Sequence, residues 1–146
     1  MSDSEIDEVI KRRLAERDVR YTDGRRSVVR AMHQSSGPRS AAELAERLED
    51  VPLSSLYRTL TILDEAGVVE RHHDPEGVAR FELAEWIAGH HHHVVCQVCG
   101  VVEDVDVDAA AEIAVSELVG RLAERAGFEA KSHVLEVLGV CSRCRS

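Results

Sequence analysis

Every cysteine of this chain lies in one of two Cys-x-x-Cys pairs, Cys96/Cys99 and Cys141/Cys144, and four consecutive histidines, His90 to His93, run into the first pair. This pattern constrains the fold more than any other. Each pair offers two thiolates at a bite suited to tetrahedral Zn2+, with Zn–S bonds of about 2.3 Å, and two pairs complete one closed structural site. Residues 100–140 separate the pairs, more than a compact zinc ribbon spans, so the metal ties the later pair back onto the earlier one. The acidic start Met1-Ser2-Asp3-Ser4-Glu5 is unlike a signal peptide, and no apolar run is long enough to cross a membrane. The expected compartment is the cytoplasm. Reducing pools there disfavour structural disulfides, so metal takes precedence over two disulfides or a redox pair.

A zinc held by four thiolates needs no imidazole, so the histidines serve something else. In extended backbone, alternate side chains face opposite sides. His91 and His93 then point one way and His90 and His92 the other, and a single stretch can feed two sites. A purification tag is an unsuitable reading for an internal run of four; a solvated polar linker is the bland alternative.

The first half reads as helices followed by a hairpin. Ile6, Val9, Ile10 and Leu14 make a helical stripe. Thr22 or Asp23 caps a second helix with Val28, Val29 and Met32 inward, and Ser40 with Glu43 forms a capping box for a short third one. Pro52 opens a fourth helix, with Leu53, Leu56, Leu60 and Leu63 as its buried stripe and Gly67 at its end. Its other face carries Ser54, Tyr57, Arg58 and Thr61, groups able to hydrogen-bond base edges and phosphates. Two strand-like runs, 68–73 and 78–83, flank the turn Asp74-Pro75-Glu76-Gly77. This order describes a winged helix-turn-helix with the fourth helix in the major groove. The net charge of −9 argues against indiscriminate coating of nucleic acid, yet residues 11–30 concentrate basic side chains, Arg25 among them, and a local patch suffices.

The second half reads as a small α/β unit. Residues 85–89 look like a linker, residues 101–107 and 133–140 like strands, and residues 108–126 like an Ala-rich helix ending at Gly127. Such a sheet is marginal alone and leaves its edges open, which predicts a homodimer pairing across a two-fold axis. The expected architecture is α+β: a winged-helix DNA-binding domain over 1–85, a hinge at 86–89, and a metal-binding dimerisation domain over 90–146 with a four-cysteine zinc site.

With these residues in view, the chain resembles the ferric uptake regulator superfamily of bacterial metal-responsive repressors. The resemblance runs from about Arg13 to Cys144. It is carried by Leu56-Tyr57-Arg58-Thr59-Leu60, Glu65-Ala66-Gly67-Val68-Val69, Phe81-Glu82-Leu83, the His90–Gly100 stretch, Ser132-His133 and the final Cys-x-x-Cys. It implies that Tyr57 and Arg58 contact bases, and that Cys96, Cys99, Cys141 and Cys144 hold structural zinc. It also implies a regulatory site at the hinge using His91, His93 and Glu82, and a second site using His90, His92, His133 and a helix carboxylate. Glu112 suits that last place counting from Cys99; Glu117 suits it counting from His133.

The chain also departs from the family's patterns. Pro38 stands where iron- and peroxide-sensing members usually place a histidine. Glu70 stands where zinc-sensing relatives usually place Asp, and Ala84 where they place Cys. The resemblance therefore implies hinge ligands Glu70, Glu82, His91 and His93, a set without sulfur that admits Zn2+, Fe2+, Mn2+ or Ni2+, with affinity favouring zinc over iron and manganese. The ending Cys-Ser-Arg-Cys-Arg-Ser resembles the zinc regulators. The expected function is a metal-dependent repressor of zinc homeostasis that binds double-stranded operator DNA, with no membrane and no small organic substrate; iron- or manganese-responsive regulation is the alternative. A zinc hydrolase or deaminase is remote, because no Glu follows the histidine run as a deaminase signature requires. A zinc adaptor for protein partners is countered by the polar face of the fourth helix. His72 and His73 read as exposed strand histidines without partners, and His33 as a partner of a helix C-terminus.

Overall fold

A computed structural model of the chain describes residues 1–145; Ser146, at the end of the expected 90–146 segment, lies outside it. The first helix, α1 (Asp3–Ala15), opens on a capping box between Ser2 and Glu5 and buries Ile6, Ile10 and Leu14. Thr22 caps α2 (Asp23–His33), which buries Val28, Val29, Ala31 and Met32. A short strand, β1 (Arg39–Ser40), leads into α3 (Ala41–Arg47), whose capping box pairs Ser40 with Glu43.

The fourth helix, α4 (Leu53–Glu65), turns Leu56, Thr59, Leu60 and Leu63 inward. Leu53, expected in that stripe, is 53% exposed. It occupies the first helical position, before the helix passes over the core. Gly67, at φ +69°, ends the helix in a conformation that Gly adopts without strain. Strands β2 (Val69–His73) and β3 (Ala79–Leu83) then form the hairpin, and the sheet order is β1-β3-β2, all antiparallel. Asp74 closes the turn by accepting the backbone N–H groups of Glu76 and Val78. These helices and this wing share one apolar core running from Ile6 to Ile87.

Residues 85–88, expected as linker, form a helical turn, α5 (Glu85–Ala88). Ile87 is buried from it, and Trp86 donates its indole N–H to the Gly67 carbonyl at 2.8 Å. The segment is therefore fastened to the end of α4. Beyond it come β4 (His92–Cys96), β5 (Val102–Val105), α6 (Ala109–Arg125) and β6 (Glu136–Gly139). Central β4 pairs antiparallel with β5 and parallel with β6, giving the order β5-β4-β6. A parallel pair needs a crossover, and α6 supplies it. No α6 side chain is buried: Leu118 and Leu122, one turn apart, are 48% and 56% exposed. No helix among the described residues is long and apolar enough to cross a membrane.

The loop between α2 and α3 rests on β5. Ser36 Oγ donates to Glu103 at 2.9 Å, Arg39 Nη1 donates to the Val102 carbonyl at 3.1 Å, and the Asp104 N–H reaches the Ser36 carbonyl at 3.4 Å. Gly37, at φ +123°, leaves no room for more: a Cβ there would lie 2.7 Å from the Val102 oxygen.

Candidate metal centres

The β4–β6 register places Cys96 beside Gly139, so Cys141 follows two residues beyond the point where the strands part. Tight turns then fold each pair back: the Gly100 N–H donates to the Cys96 carbonyl at 2.9 Å, and the Cys144 N–H to the Cys141 carbonyl at 3.0 Å. All four cysteines are free thiols, and their sulfurs lie within 4.8 Å of one another. Cys99 and Cys141 are 3.8 Å apart at sulfur. A tetrahedron with Zn–S bonds of about 2.3 Å has an edge of about 3.8 Å, which the Cys99–Cys141 spacing matches. The Cys141 N–H donates to Cys96 sulfur at 3.4 Å. That N–H and the Cys99 N–H push the Cys96 thiol down to about 6, whereas the neighbouring Cys141 sulfur pushes Cys144 up to about 12. Four sulfurs this close cannot all ionise without a cation among them.

The second cluster joins His90, His92, Glu112 and His133. Asp108 caps α6 and so puts Glu112 in its first turn, facing β4. Glu112 Oε2 lies 2.7 Å from His92 Nε2, and Oε1 lies 3.2 Å from both His90 Nε2 and His133 Nε2. The His90 and His133 nitrogens are themselves 3.2 Å apart. With metal–nitrogen bonds of about 2.0–2.1 Å, neighbouring ligands of a tetrahedral ion sit about 3.3 Å apart, which the three 3.2 Å spacings match. Glu85 holds His90 Nδ1 at 2.6 Å, leaving Nε2 to face the cluster. Contact with His92 first, against some burial, keeps the Glu112 carboxyl below its ordinary range. Glu117, the other candidate, is exposed and outside this group. It lies five residues along α6 from Glu112, on a different face at 3.6 residues per turn.

The third cluster joins Glu82 from β3, His91 and His93 from the β4 stretch, and Asp104 from β5. His91 Nδ1 lies 2.9 Å from the Gly89 carbonyl, which can only accept. The neutral ring therefore carries its proton on Nδ1 and turns a bare Nε2 toward Glu82 Oε2 at 2.8 Å. Two acceptors at that distance require a proton or a metal ion between them. Burial raises the Glu82 carboxyl, but contacts with His72, His93 and His91 outweigh it and hold the group well below the usual carboxylate range. Asp104 is 3.7 Å from His91 Nε2 and 3.5 Å from His93 Nε2. Burial raises its carboxyl; the nearby His91 works against that.

Two corrections follow for this third set. Glu70, expected beside His91 and His93, instead groups with His72 and Glu82, and Asp104 takes the fourth place around the histidines. The reason is geometric: Glu70 sits on β2, on the far side of β3 from β1, while Asp104 pairs directly with His93 across β4 and β5. His72 is not an unpartnered surface histidine either. Its Nε2 lies 2.7 Å from Glu82 Oε1, and that contact, ahead of opposing burial, raises its pKa. His33 ends α2 and meets Asp3 at 2.8 Å.

The helix α4 presents Ser54, Tyr57, Arg58 and Thr61 to solvent. Tyr57 is 54% exposed, and Thr61 spends its hydroxyl proton on the Tyr57 carbonyl at 3.0 Å. A surface cleft beside this face is lined by Thr22, Arg25, Ser55 and Arg58, near the N-termini of α2 and α4. Two helix N-termini and two guanidinium groups make that cleft attractive to phosphate. Arg25 is half-buried there, donating to the Arg20 carbonyl.

Fold and site together define a winged-helix protein carrying clustered metal ligands. The model of the ferric uptake regulator family matches residues 16–138. The ferric uptake regulation protein of Legionella pneumophila is 36% identical over 137 residues, covering 90% of this chain and 96% of its own. The structure of the Helicobacter pylori ferric uptake regulator superposes with a TM-score of 0.77 over 100% of this chain and 95% of its own, at 21% identity. A zinc uptake regulator solved with zinc and DNA superposes with a TM-score of 0.54 over 99% and 95%, at 25% identity. The chain belongs to the ferric uptake regulator family and is a metal-responsive regulator of that family.

Proposed function

We propose that this chain is a homodimeric repressor that binds operator DNA when its regulatory sites are loaded with a divalent metal, and that it controls zinc homeostasis. One observation carries the reading. The Glu82, His91, His93 and Asp104 cluster takes one carboxylate from the wing strand β3 and its other donors from β4, the residue just before it, and β5. A cation there would join the DNA-reading half, residues 1–85, to the half from residue 90 onward, with residues 86–89 as the hinge. Glu82 anchors the wing, His91 presents a bare nitrogen, His93 adds its Nε2, and Asp104 closes the set.

The remaining assignments rest on the same frame. Cys96, Cys99, Cys141 and Cys144 hold structural Zn2+, and His90, His92, Glu112 and His133 form a second divalent site. Arg25, Ser54, Tyr57, Arg58 and Thr61 face DNA, the last four from α4 in the major groove. The open Leu118 and Leu122 and the half-exposed Val137 and Leu138 supply an apolar face for the homodimer. The protein is a switch and not a catalyst, and its place is the cytoplasm. Metal bound more tightly in the DNA-competent arrangement favours that state, and DNA then tightens metal binding by the same factor.

The nitrogen and oxygen donors of the third cluster favour Zn2+ over Fe2+ and Mn2+ by affinity alone. The relative named for ferric uptake supports a second reading, an iron- or manganese-responsive regulator, because the same donor set accepts those ions. Gel-shift titration of an operator against buffered free Zn2+, Fe2+ and Mn2+ separates the two. Zinc-driven binding at the lowest free metal, lost on mild chelation and in His91→Ala, is the expected result. DNA affinity indifferent to every metal and to chelation would sink the switch.

A further inference from the structure

Glu82 turns its two oxygens toward different partners. Oε2 lies 2.8 Å from His91 Nε2, and Oε1 lies 2.7 Å from His72 Nε2, with His93 Nε2 about equally near both at 3.2 and 3.1 Å. The wing ladder explains the second contact. Glu70 pairs directly with Glu82 across β2 and β3, and His72, two residues further along β2, faces the same side of the sheet. Two carboxylates directly opposite in an antiparallel pair repel each other unless a positive charge lies between them.

His72 Nε2 carries the argument further. It is buried and makes no aligned hydrogen bond, although Glu82 Oε1 is 2.7 Å and Glu70 Oε2 is 3.9 Å away. The ring nitrogen is close to Glu82 Oε1 without hydrogen-bond alignment, and Glu70 Oε2 lies beyond hydrogen-bond reach. Donors converging on a common ion take that arrangement, whereas a hydrogen-bonded pair lines up. The donor atoms of Glu70, His72 and Glu82 lie within 4.8 Å of one another, as do those of Glu82, His91, His93 and Asp104, and Glu82 is the one residue common to both groups. A single ion with bonds of about 2.0–2.2 Å cannot reach all six residues. One cavity is lined by Glu70, His72, Glu82, His91 and His93 together.

We propose that Glu82 bridges two divalent cations, one among His91, His93 and Asp104 and a second held within the wing by Glu70 and His72. The inference rests on the third cluster being a metal site and adds a neighbour to it. With only two residues of its own, the wing ion keeps solvent positions open and exchanges more readily than its neighbour. Once the first ion has oriented Glu82, the second finds its bridging ligand in place, so the two fill in order.

The test uses full-length protein with its cysteine zinc retained and Mn2+ as the probe. Equilibrium dialysis counts the bound ions, and electron paramagnetic resonance reads whether two of them are exchange-coupled. Wild type is expected to take up one more Mn2+ per chain than Glu70→Gln or His72→Ala and to show a coupled spectrum that both variants lack. Glu70 is exposed, so its variant keeps the fold if His72→Ala does not; circular dichroism checks both. Unchanged stoichiometry in both variants with no coupled signal in wild type, while His91→Ala still loses an ion, overturns the bridged pair and leaves the regulatory site standing. If His91→Ala also loses nothing, both readings fall.

Discussion

Asp104 stands directly opposite His93 in the β4–β5 ladder, with its carboxylate 3.5 Å from the ring Nε2. The pairing brings a second-half carboxylate to the same donor group as Glu82 of the wing. Asp104→Asn keeps the shape and removes the charge. Partners one shell further out are typically worth about 10–100-fold in metal affinity, and a direct ligand is expected to match that at least. A chelator-buffered titration followed by gel shift reads it: the variant should need correspondingly more metal for half-maximal DNA binding. An unchanged midpoint would remove Asp104 from the site.

Gly37→Ala tests whether the α2–α3 loop positions β5. Its Cβ would meet the Val102 oxygen at 2.7 Å, and φ +123° already disfavours any side chain, so the loop must lift. The expected cost is about 1–3 kcal/mol. Thermal melting should register it, and protease should cut the 34–38 loop faster. Wild-type melting and cleavage would mean that the loop contact carries nothing.

Glu43 gives a pH-dependent contribution whose sign is determined. It accepts the Ser40 N–H at 2.9 Å and Arg80 Nη1 at 2.9 and 3.1 Å. Burial opposes its ionisation, but these donors outweigh burial and lower its pKa from the ordinary 4.5. A depressed folded-state carboxylate contributes fully above the unfolded value and loses that contribution as pH falls through the folded one. With the side chain 41% exposed, solvent screening limits the ion pair. Glu43→Ala should therefore cost about 1 kcal/mol near neutral pH, most of it from the cap. Melts compared near pH 7 and about pH 3 should show the gap to wild type closing in acid. A gap that persists there would assign the effect to packing.

The exposed face of α6 predicts an assembly defect without a folding defect. Leu118→Glu with Leu122→Glu places two charges where the chain itself buries nothing. Exposed substitutions usually change stability by less than about 0.5 kcal/mol, so the core from Ile6 to Ile87 should melt as in wild type. Sedimentation should show the variant as a monomer. A variant that stays dimeric would move the interface off α6.

The sequence announced its helices and its thiolates through local signals. Capping residues at Ser40 and Thr22, Pro52 before α4 and Gly67 after it each act within a few residues, so their effects can be read without the fold. The alternation of His90 to His93 is equally local, because it follows from extended backbone. Asp104 and His72 were missed for the opposite reason. Asp104 meets His93 only through the hairpin register, set where the Cys96 N–H bonds the Val101 carbonyl at 2.9 Å. Counting outward from that closure would have paired them, had the strand ends been known. His72 needs the β2–β3 register to stand near Glu82, and the grouping of Glu70 with His72 and Glu82 follows from that same register, which no local signal carries. Residues 85–88 looked like linker because one helical turn gives too little periodicity to recognise, and Ile87 and Trp86 show their purpose only against α4.

The histidine stretch that feeds β4 is anchored downstream by Cys96 and read on both faces, which has a consequence for how this segment tolerates mutation. A substitution removes one donor from one cluster. A single-codon deletion between His93 and Cys96 would keep every histidine yet turn each to the other face, because the side-chain period is two. The His91/His93 and His90/His92 sets would trade places while the cysteine end stayed in register. Length here is under tighter control than composition, and a chain altered that way would keep its full complement of ligands and match neither cluster.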